Sequence, residues 1–142
     1  MKVRICGDGR NCVLIDVLGS EQANVTSGDD WFTCDVSANA LGFHGAVHSS
    51  LTVDELAGFL EEVRSMRQDM RGTARLSMLE GALDVQIDLA ATGTGMVTGE
   101  LRKVGGGEAT LKFSFETDQT FIGQAMDDLE RVLGRYPTRT PR

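Results

Sequence analysis

From Lys2 to Leu18 apolar and polar side chains alternate on both sides of Gly7-Asp8-Gly9-Arg10-Asn11, a pattern that predicts a β-hairpin. A polar stretch from Gly19 to Asp30 follows, the longest loop candidate in the chain. Alternation returns over Trp31–Ala38, with Phe32, Cys34 and Val36 on one face, and over Leu41–Ser49, with Leu41, Phe43 and Val47 on one face. Thr52-Val53-Asp54-Glu55 then has capping-box spacing: the Thr52 hydroxyl can accept from the Glu55 amide while the Glu55 carboxylate accepts from the Thr52 amide. The helix this starts places Leu56, Phe59, Leu60, Val63, Met66 and Met70 at helical spacing, with Gly72 as its expected left-handed stop.

The second half repeats the order. Strands are predicted over Thr73–Leu79, Ala82–Ala90, Met96–Val104 and Ala109–Thr117, with turns at Glu80-Gly81 and Gly105-Gly106-Gly107. In the second of these, Leu83, Val85, Ile87 and Leu89 face one way and Asp84, Gln86 and Asp88 the other, the mark of an antiparallel sheet with one wet face. A second amphipathic helix runs from about Thr120 to about Gly134 on Ile122, Ala125, Met126, Leu129 and Leu133, and Tyr136-Pro137 ends it. The expected fold is α+β: a curved antiparallel sheet of about eight strands, open or barrel-like, with two helices packed on it in the order ββββαββββα. Each helix follows a strand and a Thr-containing start, a faint trace of internal duplication.

The chain has 142 residues, a length suited to one core that buries roughly 70% of the unfolded surface. Residues 1–136 are therefore expected to form a single domain and 137–142 a frayed tail. No apolar run approaches the ~20 residues of a membrane span, and Gly7, Asp8 and Arg10 interrupt any signal-peptide core after Met1–Cys6, so a cytoplasmic location is expected. In that setting Cys6, Cys12 and Cys34, an odd number, are expected to be reduced packing residues.

Formal net charge is −7, which makes nucleic acid an unsuitable direct partner. The charges are also blocked. Asn11–Val63 has no Lys or Arg but carries Asp16, Glu21, Asp29, Asp30, Asp35, Asp54, Glu55, Glu61 and Glu62, and Arg64, Arg67, Arg71 and Arg75 then arrive together. Helix-dipole complementation accounts for the arginines at the helix end. The acidic block has two readings: a solvated face that keeps the protein soluble, or a single-sign field that speeds encounter with a basic protein by about 10- to 1,000-fold. Trp31, directly after Asp29-Asp30, is either an aromatic anchor in an acidic rim or the first core residue of a strand.

Catalytic and metal constellations fail on spacing. His44 and His48 share a strand face about 13 Å apart, too far to bind one zinc ion. Asp84 and Asp88 are separated in the same way, beyond the ~5–9.5 Å of a glycosidase-type carboxylate pair unless a neighbouring strand supplies a partner. Gly93, Gly95 and Gly99 miss the dinucleotide fingerprint by one residue and precede a strand. Glu80, Asp118 and Gln119 fall at element ends, where turns and caps explain them. No cofactor is expected.

Phe43-His44-Gly45, LTVDELAGFLEEV, GTARLSMLEGALDVQI, GTGMVTGELR and LKFSFETDQTFIGQAMDDLERVLGRYP occur in this order between about Trp31 and Pro137, and together they resemble the WapI-type immunity proteins of bacteria. The resemblance implies a non-enzymatic cytoplasmic protein that binds and neutralises a cognate toxin, a nuclease in the namesake case. It supplies no catalytic residues. Charge distribution supplies the expected contact residues: Glu21, Asp29, Asp30, Trp31 and Asp35, facing a basic partner. Two other readings follow from the sheet itself: a small-molecule binding or catalytic domain using its concave face, and a homo-oligomer paired through exposed sheet edges.

Overall fold

A computed structural model describes residues 1–8, 10–20 and 31–135. Its elements are β1 (Lys2–Cys6), β2 (Cys12–Ser20), β3 (Trp31–Ala40), β4 (Phe43–Thr52), α1 (Val53–Asp69), β5 (Gly72–Ser77), β6 (Leu83–Leu89), β7 (Thr94–Val104), β8 (Glu108–Asp118) and α2 (Gln119–Arg135). The α+β class and the order ββββαββββα are as the alternation predicts. The strands divide into two antiparallel four-stranded sheets, β1-β2-β3-β4 and β5-β6-β7-β8, and among the described residues close no barrel. The polar stretch and the tail, residues 21–30 and 136–142, lie outside the described residues.

Local chemistry sets the turns. The Asp8 carboxylate accepts from the backbone N–H groups of Arg10 at 2.7 Å and Asn11 at 2.8 Å, bonds that hold its pKa below the ordinary carboxylate value. The Asn11 side-chain oxygen accepts from the Leu41 N–H at 2.8 Å, fixing the β3–β4 turn, where Leu41 and Gly42 both have positive φ. Leu41 therefore sits in the turn, exposed, rather than on the strand face with Val47, and Phe43 beside it is exposed as well. Both belong to a hairpin tip that lies beyond the buried cluster.

The capping box forms as expected, with Glu55 N–H donating to the Thr52 hydroxyl at 3.1 Å and Thr52 N–H donating to the Glu55 carboxylate at 2.8 Å. The helix stop differs: Met70, at φ 60°, takes the left-handed position and Gly72 already begins β5. Asp118 caps α2, accepting from Thr120 N–H at 2.9 Å.

The core lies between the sheets and helices. Val3, Ile5, Val13, Ile15, Phe32, Cys34 and Val36 of the first sheet are buried, as are Leu76, Val85, Ile87, Val97, Phe113 and Phe115 of the second. Gly99 lets the sheet close around Phe113, because a Cβ there would lie 2.7 Å from both the Phe113 ring and the Asp84 carbonyl oxygen. Of the near-fingerprint glycines, Gly95 and Gly99 thus serve close strand packing and Gly93, at φ 92°, a turn. With both inner faces filled by side chains, neither offers a concave ligand chamber among the described residues.

Each helix packs on the sheet of the opposite half. α1 leaves the first sheet and lies on β5, whereas α2 leaves the second and lies on β1. At the tenth residue of each helix a carboxylate accepts from an edge-strand N–H: Glu62 from Arg75 at 2.9 Å and Asp128 from Arg4 at 3.0 Å. The twelfth residues, Arg64 and Glu130, pair with each other at 2.9 Å. The two halves therefore repeat one construction, which the sequence shows only faintly. The resulting contacts also block two of the four sheet edges.

One sequence expectation is overturned here. Cys6 and Cys12 form a disulfide, and only Cys34 is free among the three cysteines. They are cross-strand register partners at the mouth of the β1–β2 turn, so the hairpin itself brings the sulfurs together. An odd cysteine count and apolar alternation carry no information about that proximity.

Candidate functional site on the outer face of the first sheet

Alternation along β3 buries Phe32, Cys34, Val36, Ala38 and Ala40, which turns Trp31, Thr33, Asp35, Ser37 and Asn39 to the outer face. Register extends that face across the sheet. Lys2 opposes Asp16, Asp16 opposes Asp35 and Asp35 opposes His48, so one row crosses all four strands. Directly opposed side chains in such rows have Cβ atoms about 4.5–5.5 Å apart.

The centre of this row is a carboxylate pair. Facing like charges work against folding, and the flanks reduce that cost: the Asp16 carboxylate lies 3.6 Å from the Met1 ammonium, and Asp35 Oδ1 lies 2.8 Å from His48 Nδ1. The Asp35 side chain is nevertheless 59% exposed. Trp31 is half-buried at the start of β3 and shares the outward parity of Asp35, about 13 Å along the strand. It begins a strand, as one reading required, without entering the buried cluster. Of the expected contact residues, Trp31 and Asp35 thus share one face; Glu21, Asp29 and Asp30 lie outside the described residues, between β2 and β3 in the chain.

The outer face of the second sheet differs in that three of its carboxylates, Asp84, Glu100 and Glu108, are each paired with a cation. Arg75 grips Asp84 through bonds of 2.9 and 2.7 Å, Lys112 lies 3.5 Å from Glu100, and Arg102 lies 2.9 Å from Glu108. Asp84 and Asp88 form no pair: Asp88 instead accepts from the Thr73 hydroxyl at 2.6 Å. At one end of this sheet an open groove of about 1340 Å³ is lined by Asp69, Asp88, Glu116 and Asp118 together with Arg71. Sequence reasoning missed that gathering. The available signal was the polar parity of β6 and β8, but joining them requires the register Asp88 to Met96 to Glu116.

Nucleophilic chemistry is poorly served. Burial, followed by the charges of Asp35 and Glu55, pushes the Cys34 thiol up to about 12, so it stays protonated near neutrality. Among the described residues no group of three or more His, Cys, Asp or Glu side chains is arranged to hold a metal ion, and no helix is long and apolar enough to cross a membrane. What the outer face does offer is a carboxylate pair of which Asp35 is exposed and Asp16 half-buried, a half-buried aromatic ring and hydrogen-bonding side chains on one sheet face, a composition suited to binding a cationic protein surface.

A family model described as the Immunity protein WapI-like family matches residues 4–137. No curated protein matches the sequence. A solved structure, described as "Crystal structures of trypanosoma bruciei MRP1/MRP2", is similar over 95% of this chain and 83% of that chain, with 13% identity and a TM-score of 0.44. A likeness at that level carries no functional argument.

Proposed function

The chain belongs to the WapI-like immunity protein family, and on that premise we propose that it binds and neutralises a cognate basic toxin of the nuclease type, through an acidic surface and without catalysis of its own. The observation that carries the reading is the facing Asp16–Asp35 pair at the centre of an open sheet face, flanked by the Met1 ammonium and His48, within a segment, Asn11–Val63, that has nine carboxylates and no Lys or Arg. A nuclease must hold a polyanion, so its substrate groove is cationic. Carboxylates placed on a rigid sheet can occupy that groove in place of phosphates, steering the encounter and fixing register once water is excluded.

The proposed contact set is Glu21, Asp29, Asp30, Trp31 and Asp35, with Asp16 added by the sheet register. The protein acts in the cytoplasm of the producing cell as one folding unit over residues 1–136. It uses no cofactor and engages neither nucleic acid nor membrane directly. The test is co-expression: the C-terminal domain of a toxin encoded beside this gene is produced with and without this chain, and growth and complex formation are scored. Rescue together with a stable complex is expected. A toxin that binds nothing and kills regardless overturns the proposal.

A further inference from the structure

His44 and His48 of β4 remain unused by the proposed function, and their surroundings are unusual. Both project from the outer face of the first sheet and both are exposed. Each ring has its Nδ1 2.8 Å from an oxygen of β3: His44 from Asn39 Oδ1 and His48 from Asp35 Oδ1. Since those oxygens accept, each neutral ring donates from Nδ1 and carries its lone pair on Nε2, directed away from β3. That is the arrangement by which proteins orient a metal-binding imidazole, with a carboxylate or carbonyl behind the ring. Within one chain the two rings cannot share an ion, being about 13 Å apart along a strand.

The strand that carries them is an edge of the first sheet among the described residues. β1 and β5 have an edge N–H capped by Asp128 and Glu62. β8, the outermost strand of the second sheet, carries Glu108, Lys112, Glu116 and Asp118. β4 is the outermost strand of the first sheet and has no Asp, Glu, Lys, Arg or Pro in its ten residues. Its own side chains therefore supply neither the charges nor the proline that usually guard against strand addition. A groove of about 560 Å³ is lined by Val47, His48 and Ser49 together with Glu80, Arg102 and Lys103 of the second sheet's half, the space beside β4 in which added backbone would run.

We propose that β4 pairs antiparallel with β4 of a second copy, centred on Ala46, and that the pairing completes two equivalent zinc sites, each made of His44 from one copy and His48 from the other. The sequence is self-complementary about that centre: the histidines stand two residues either side of Ala46, so antiparallel pairing sets each His44 directly opposite the other copy's His48. Cross-strand Cβ separation of about 4.5–5.5 Å then places two imidazoles within reach of one ion, with water completing a tetrahedral shell. The occupant is a second copy because the site is incomplete without it and the strand supplies its own partner ligands. This inference does not rest on the toxin-binding reading, although the two share Asp35, which orients His48.

The experiment measures solution mass by sedimentation for the untagged protein, with added zinc and then with excess chelator. Zinc is expected to shift the mass from 15.3 kDa toward twice that value, tightening self-association by at least about tenfold, and chelator reverses it. His44→Ala and His48→Ala each abolish the shift, because either change removes both sites. Mixing the two variants restores part of it, because a mixed pair retains one intact His44–His48 site. Both rings are exposed, and matching circular dichroism confirms that the variants fold. A mass indifferent to zinc, a shift retained by either single variant, or a mixture no better than its components overturns the proposal. So does protection of Phe43–His48 from hydrogen exchange by a toxin but not by zinc, which assigns the edge to the toxin instead.

Discussion

Replacing Asp128 with asparagine isolates the charge that fastens α2 to β1. The side chain is 1% exposed and accepts four bonds: from the Arg4 backbone N–H at 3.0 Å, Arg4 Nε at 2.9 Å, Arg4 Nη2 at 3.0 Å and Arg131 Nη1 at 3.2 Å. Burial alone would raise its pKa, but the Arg4 side-chain and backbone bonds, aided by the charges of Arg4 and Arg131, lower it below the ordinary value. Hydrogen bonds to charged groups contribute about 1.5–3 kcal/mol each. The Arg4 side chain is 42% exposed and regains water when released, so most of its share is recovered. What remains is an edge N–H with a weakened acceptor and an amide turned toward a guanidinium, together about 1–2 kcal/mol. Asp128→Ala, which removes every acceptor, costs about 2–3 kcal/mol on the same basis.

Chemical denaturation of wild type and Asp128→Asn between pH 7 and pH 3 reads both the size and the sign. The folded carboxyl binds its proton more weakly than the unfolded one, so the carboxylate's contribution is complete above the unfolded value near 3.9 and is lost as pH falls through the lowered folded value. The gap between wild type and variant therefore narrows on acidification. Glu62→Gln, the counterpart on α1, removes a charge whose bond to the Arg75 N–H is exposed and stays within about 0.5 kcal/mol of wild type. An Asp128→Asn variant as stable as wild type at pH 7, or a gap that stays constant with pH, refutes this reasoning.

Three further outcomes are expected. Thr52→Ala removes the hydroxyl that caps α1 and lowers stability by about 1 kcal/mol in equilibrium denaturation. Cys34 resists thiol reagents until the protein unfolds; because its folded pKa is raised to about 12, its contribution is complete below the ordinary thiol value near 8.5 and is lost as pH rises above it, a trend that Cys34→Ala lacks. Reducing the Cys6–Cys12 bond, which closes a six-residue separation, lowers stability by about 2 kcal/mol on chain-entropy grounds, measured by denaturation with and without reductant.

Much of this fold is legible in sequence because its signals are local. Alternation marks every described strand, and Thr52 and Glu55 announce α1 three residues apart. Asp128 shows where such reading stops. Helical spacing in α2 selects Ile122, Ala125, Met126, Leu129 and Leu133, whereas the helix buries Asp128 and Val132 and leaves Met126 and Leu133 partly covered. The burial of Asp128 depends on Arg4, 124 residues earlier, and no local pattern encodes that pairing.

The division into two sheets and the Cys6–Cys12 bond are likewise matters of strand neighbours rather than strand sequence. The candidate site follows the same rule. Charge counting finds an acidic segment and picks out Asp35, but only the cross-strand register reveals that Asp16 faces it and that His48 stands on its other side. Sequence supplies the charge; topology decides which charges meet.

The measurement that bears most directly on the central claim is the association rate of this chain with the toxin encoded beside it, for wild type and for a variant carrying Asp29→Lys and Asp30→Lys, at low and at high salt. Electrostatic steering predicts a fast wild-type rate that falls steeply with salt, and a variant slower at low salt by about 10-fold or more. Equal rates for the two proteins, unaffected by salt, would contradict an acidic docking surface, and the absence of any complex would contradict the immunity role itself.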